Sequence, residues 1–272
     1  MKLKLKSLAV AAAMSAVAMT AQAEIVGGAD SELFFSAYNA DKSYTFDLPS
    51  LLTLNSWLGA DQAVTSTGNA TLLANLPTYA PGTVLFDVAL TGFSSVFGSD
   101  LSGVQWNFGA FDNTGRRRLV TTQTGNLNLT NLNVSQAASA MNSYTAATNP
   151  FSLTQDLGVD EWATATNADG VAYAGAWTGT WNNTTPDTLN AMGATAQLGF
   201  YAMAAQAANQ GNAAALYQDL GLNISTYQDQ AGGWNLRIAS AAAAVPEPES
   251  YAMMLAGLAM LGGVARRRNN KA

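Results

Sequence analysis

The chain has 272 residues, with 12 Lys and Arg against 18 Asp and Glu, and contains neither cysteine nor histidine. Those two absences exclude disulfides, thiolate nucleophiles, a Ser-His-Asp triad and any zinc site with His or Cys ligands. With 49% hydrophobic and 11% charged residues, the composition is that of a folded protein rather than a charged, disordered polymer.

Residues 1–23 have the three parts of a secretion signal. Lys2, Lys4 and Lys6 form a positive start, and Leu8 to Met19 runs almost entirely through Ala, Val, Met and Leu. Ala21-Gln22-Ala23 then offers the small residues that signal peptidase accommodates, so cleavage is expected between Ala23 and Glu24. The apolar run is shorter than the ~20 residues of a permanent membrane span. Export is the expectation.

Residues 24–240 form the body. From Glu24 to Val245 the chain keeps five basic residues (Lys42, Arg116, Arg117, Arg118 and Arg237) against 16 carboxylates, a formal charge of −11. Such a body repels phosphate backbones, and the three-residue arginine run is too short to reverse that, so no nucleic-acid partner is expected. A body of this length buries about 70% of its unfolded surface and makes one domain or two closely packed lobes.

Taken in order, Leu33 to Ala37 and Ser43 to Leu48 are short aromatic-rich runs separated by Asn39-Ala40-Asp41-Lys42, which reads as a hairpin. Leu51 to Leu58 is a candidate short helix after Pro49. Thr83 to Leu90 places Val84, Phe86, Val88 and Leu90 on one strand face, and Val104, Trp106, Phe108 and Ala110 repeat the pattern. Asp112-Asn113-Thr114-Gly115 turns the chain into a strand over Arg116 to Thr122. Ser135 to Ala147 is Ala-rich, with Met141 and Tyr144 three apart, and reads as a helix ended by Asn149-Pro150.

Asn167-Ala168-Asp169-Gly170 is a second turn, feeding Val171, Tyr173, Gly175, Trp177, Gly179 and Trp181 at a spacing of two, which predicts a strand. The alanines of Leu189 to Tyr217 favour helix while Leu198 to Tyr201 favours strand, and strand is taken for Gln197 to Ala202. Many short strands between turn signals predict a mainly β fold, an antiparallel β-sandwich-like body with minor helices.

The carboxyl terminus has three parts in fixed order. A linker over residues 241–250 contains Val245-Pro246-Glu247-Pro248, whose prolines hold the backbone extended and present Glu247. Residues 251–265 are apolar and predict a membrane-inserted helix of about 22 Å at ~1.5 Å per residue, thin for a ~30 Å hydrocarbon core and suited to a transient anchor. Residues 266–272 open with Arg266-Arg267-Arg268, a cluster that resists translocation and keeps the tail cytoplasmic.

In these residues, with Gly257, Gly262 and Gly263 in the apolar span, the chain resembles the PEP-CTERM family of exported bacterial proteins. The resemblance implies recognition of Pro246, Glu247 and Pro248 by an exosortase, a membrane protease-transpeptidase, and an association with exopolysaccharide. More loosely, Glu32 to Ser36, Ser43 to Leu48, Gln197 to Tyr201 and Gly232 to Leu236 look like bodies often attached to this tail. That body type implies no enzymatic activity.

Candidate chemistry within the body is sparse. Trp177 and Trp181, four apart on the predicted strand, are candidate glycan contacts if exposed and core aromatics if not; core is favoured. Asp160-Glu161 beside Trp162 is the candidate pair for a glycoside hydrolase, but acid and base must face each other ~5–9.5 Å apart, so a solvated loop is favoured there. Lys42 and Ser43 are neighbours pointing to opposite strand faces and make no dyad. No EF-hand or Gly-Gly-x-Gly-x-Asp repeat supports a calcium site, so neither metal nor cofactor is expected.

The expected function is therefore that of a non-enzymatic surface or extracellular-matrix protein, held transiently at the inner membrane and then released to the cell surface or matrix. Extracellular polysaccharide is an additional candidate partner. A carbohydrate-binding module is the alternative, and a carboxylate-dependent hydrolase is the less favoured third reading.

Overall fold

The Asn39 carboxamide organises the first hairpin. Its Oδ1 accepts from the backbone N–H of Asp41 and of Lys42, both at 3.1 Å, an Asx-type turn that needs no helper residue. Strand β1 (Phe34–Tyr38) thereby pairs with β2 (Lys42–Asp47), from Phe34 opposite Asp47 to Tyr38 opposite Ser43. The hairpin matches the sequence expectation.

The computed structural model describes residues 25–241 apart from 29, 49–52, 59–75, 115–116, 124–127, 152–160, 178–179, 182–183, 185–187 and 205–210. The expected signal segment with Ala21, Ala23 and Glu24, and the tail with Val245 to Pro248, the apolar span and Arg266 to Arg268, lie outside the described residues. No described helix is long and apolar enough to cross a membrane.

The remaining elements are helix α1 (Leu54–Leu58), β3 (Val84–Ala89), α2 (Phe93–Phe97), β4 (Gln105–Asp112), β5 (Arg118–Gln123), α3 (Asn131–Thr148), β6 (Glu161–Thr166), β7 (Asn190–Ala191), β8 (Thr195–Ala202), β9 (Leu216–Gln228) and β10 (Trp234–Ser240). The fold is mainly β, and every strand pairing is antiparallel. The order is β3-β10-β9-β8-β5-β4-β1-β2-β6, with β7 beside β4. The strands thus form one continuous, curled sheet in place of the two stacked sheets of a sandwich. Register shifts at Gln197/Gly199 and Ile238/Ala239 mark the irregularities that bend strands and increase local twist.

Curling brings the two ends of the sheet onto a shared core. Tyr44 and Phe46 from β2, Trp106, Phe108 and Ala110 from β4, and Leu236 and Ile238 from β10 all enter it. Helix α2 fills the mouth. The Phe93 ring centroid lies 5.3 Å from that of Tyr44, 4.9 Å from Phe97 and 6.1 Å from Trp234. Two backbone groups beside it are tied to the same walls: the Tyr44 hydroxyl donates to the Thr91 carbonyl, and the Leu90 N–H donates to the Trp234 carbonyl, both at 2.8 Å.

The convex face carries α3. Thr130 Oγ1 accepts from the Asn133 N–H while Asn133 Oδ1 accepts from the Thr130 N–H, a reciprocal cap that starts the helix four residues before the expected Ser135. Val134, Ala137, Ala138, Met141 and Tyr144 pack on Phe34, Phe111, Leu119 and Tyr201. Gly109 lets the Phe34 ring cross the sheet surface, because a Cβ there would stand 2.7 Å from Phe34 Cζ. Burial pushes the Tyr144 hydroxyl up to about 12, against the opposing effect of hydrogen bonds with Thr45, Ser36 and Thr148.

One sequence expectation fails outright. In its described residues Val171 to Trp181 is not a strand: Asn167–Ala172 and Ala174–Trp177 are 3-10 turns. The reasons are local. Asp169 caps Thr166, Gly170 takes φ 62°, and the Tyr173 ring lies over Gly175 where no side chain would fit. Conversely β6 and the long β9 form where no strand was expected. Glu161 opens β6 opposite Asp47 rather than sitting in a solvated loop, and Asp160 lies outside the described residues.

Two substitutions test this architecture. Phe93→Ala should cost about 3–5 kcal/mol of unfolding free energy, read as a lowered urea midpoint, since it empties the junction of both sheet ends. Arg118 and Asp112 form a buried ion pair at 3.1 Å, 1% and 0% exposed, with Asn55 Oδ1 accepting from Arg118 Nη2 at 2.7 Å. Asp112→Ala should cost about 3–5 kcal/mol by leaving the guanidinium buried without its counter-charge, whereas an exposed pair would move the midpoint little.

Candidate functional site

Strand β6 is an edge of the sheet, and its alternation divides its residues between two environments. Ala163 and Ala165 are buried, and Ala165 joins the cluster with Ala172 and Tyr173. Trp162, Thr164 and Thr166 lie on the other face at a spacing of two, ~7 Å between successive side chains. Beside them lie Lys42 from β2, Ser95 and Val96 from α2, and Asp169 from the adjoining turn, together bordering an open groove of about 360 Å³.

The groove's aromatic wall is held in place. Trp162 stacks on Tyr44 with centroids 5.8 Å apart and planes 28° from parallel. Gly92 abuts its six-membered ring, and a Cβ at Gly92 would overlap Cε2, Cζ2 and Cδ2. Gly92 also has φ 77°, so both the backbone and the contact require glycine. The indole remains only partly buried.

Among the described residues the rim carries one cation, Lys42, and one carboxylate, Asp169. Asp169 Oδ2 accepts from the Thr166 backbone N–H and hydroxyl, both at 2.7 Å, and these bonds hold its carboxyl below the usual carboxylate range. It is ionised at neutral pH. Lys42 Nζ sits 5.9 Å from the centroid of the Phe97 ring, a cation–π placement that fixes an ammonium near the groove. The Ser95 hydroxyl donates to the Gly92 carbonyl at 2.6 Å, which leaves its oxygen lone pairs as acceptors.

The residues singled out from sequence are placed differently. Trp181 is 1% exposed, packed edge-on to Phe34 at 5.8 Å and beside Tyr144 at 6.0 Å. Trp177 is partly buried, and its Nε1 donates to the Val171 carbonyl at 3.0 Å. The pair therefore forms no exposed glycan platform. Without a strand, the spacing of four does not put the two rings on one face, and the core reading holds for Trp181. Ser43 is buried and its hydroxyl donates to the Ala165 carbonyl, while Lys42 faces the groove, so the two make no dyad.

Arg117 donates from Nη1 to the Ser135 carbonyl and hydroxyl and to the Ser139 hydroxyl, and Arg118 is interior. The arginine run is thus scaffold in its described part. Among the described residues no group of three or more acidic side chains is placed to hold a metal ion. Sequence reasoning passed over Trp162 because the carboxylates beside it drew attention; its signal was the alternation with Thr164 and Thr166.

Comparison with protein families matches residues 244–269 to the PEP-CTERM protein-sorting motif. The tail is therefore a sorting signal of that kind, which implies export, membrane-anchored sorting and exosortase-type processing. No curated protein and no solved structure gives a significant match to the chain.

Proposed function

We propose that this chain, a protein with a PEP-CTERM sorting signal, is a non-enzymatic structural or adhesive component of the cell surface or extracellular matrix. The observation that carries the reading is the matched tail at residues 244–269, joined to a secretion-type start with Ala21, Ala23 and Glu24. In this reading signal peptidase removes residues 1–23, and the apolar span holds the protein at the inner membrane. Exosortase-type processing at Pro246, Glu247 and Pro248 then releases it toward the surface and its exopolysaccharide.

Physical features of the body support a role without catalysis. The sequence has no histidine or cysteine to act as base, nucleophile or soft metal ligand. Among the described residues lining the groove at β6 the one carboxylate is Asp169, already engaged by Thr166, whereas glycoside hydrolysis calls on two carboxylates flanking the bond. Long-range antiparallel pairing from β3 to β6 suits a durable exported module that needs no disulfide.

Fractionation of the producing cells tests the reading. The double substitution Pro246→Ala, Glu247→Ala should leave the protein full-length in the membrane fraction, while the unsubstituted protein is shortened and released. Equal release of both would refute exosortase-type processing through this motif.

A further inference from the structure

We propose that the groove between β6 and α2 is a binding subsite for a neutral pyranose glycan, with Trp162 as its apolar platform. Such a subsite needs an aromatic surface whose orientation is set before binding, hydroxyl and charged groups at the rim, and an open side through which a chain can pass. Each is present. Tyr44 and Gly92 fix the indole, so little rotamer entropy is lost when a sugar ring settles on it. Sugar C–H groups present a weakly positive apolar face that complements the negative face of the indole.

The rim supplies orientation. Ser95, Thr164 and Thr166 offer hydroxyl oxygens, Lys42 a donor and Asp169 an acceptor. The two charges cancel, which favours an uncharged sugar over a uronate. A volume of about 360 Å³ lies at the low end of small-molecule sites, ~300–1,000 Å³, and suits a short stretch of a longer polymer. A peptide added to the β6 edge would instead use backbone groups in the plane of the sheet, whereas Trp162, Thr164 and Thr166 project from its face. The inference goes beyond the sorting role and does not depend on it, because binding is measured on the purified protein whether or not the tail is processed.

The test is calorimetric titration of the full chain in a non-glycosidic detergent with three probes: cellohexaose, chitohexaose and an oligomannuronate. Trp162→Ala alone would be ambiguous, since the indole also packs on the core. The informative variant is therefore Lys42→Gln with Thr164→Val, which alters the rim and leaves the aromatic stack in place. Saturable binding of a neutral hexamer at ~1 mM or tighter, weakened at least tenfold in that variant with unchanged circular dichroism and melting temperature, bears the proposal out. No binding of either neutral probe, binding of the uronate alone, or neutral-probe binding that the double variant leaves intact overturns it. The last outcome includes a ligand held at the β6 edge.

Discussion

The fold depends on the closure of one sheet by one aromatic side chain. An open antiparallel sheet with two free edges exposes its concave face unless something spans the gap. Phe93 does so by touching Tyr44 near one end of the sheet and Trp234 near the other. The five-residue helix that carries it could not be stable alone. It is held by the sheet it closes, through the hydrogen bonds of Thr91 and Leu90 to the same two strands. Burial of the concave core and order in α2 are therefore a single cooperative event. The same event builds the groove at β6, since Ser95 and Val96 follow Phe93 on α2 and Trp162 stacks on Tyr44.

The two faces of the sheet are stabilised by different means. The concave side is dominated by apolar and aromatic groups, with Thr122 and Thr226 as buried, hydrogen-bonded exceptions. On the convex side, under α3, hydroxyls and amides sit among the apolar groups: Ser36 bonds Asn107, Thr45 bonds the Tyr144 hydroxyl, and Thr121 donates to the Phe108 carbonyl. Buried polar groups contribute little net stability when paired but cost several kcal/mol when misplaced. They accordingly fix the seating of α3 more than they strengthen it. The reciprocal cap at Thr130 and the buried Arg118–Asp112 pair act in the same sense, by penalising alternatives.

Legibility in the sequence follows the range of the forces involved. The β1–β2 hairpin, β4 and the centre of α3 were readable, because Asn39, the alternation from Val104 to Ala110 and the alanines before Asn149-Pro150 act over a few residues. In β9 the alternation Leu220, Leu222, Ile224, all buried, was present but masked by the Ala-rich stretch before it. Between Val171 and Trp181 a strand-like spacing was overridden by Gly170, by the cap at Asp169 and by the Tyr173 ring over Gly175. Alternation at the free edge of a sheet creates no strand when local turns offer the backbone better hydrogen bonds.

What the sequence by itself determined is the sorting signal of the tail, matched over residues 244–269. Such a signal is a short contiguous stretch of residues, so its information is linear. The absence of histidine and cysteine is equally a property of composition, and no fold could alter it. Only the tertiary structure decided which tryptophans are available to a ligand. The sequence pointed to Trp181 and not to Trp162, yet the curl of the sheet and the seating of α3 bury the first and leave part of the second at an edge. Burial is set by what packs against a side chain from distant parts of the chain, and no local spacing encodes it.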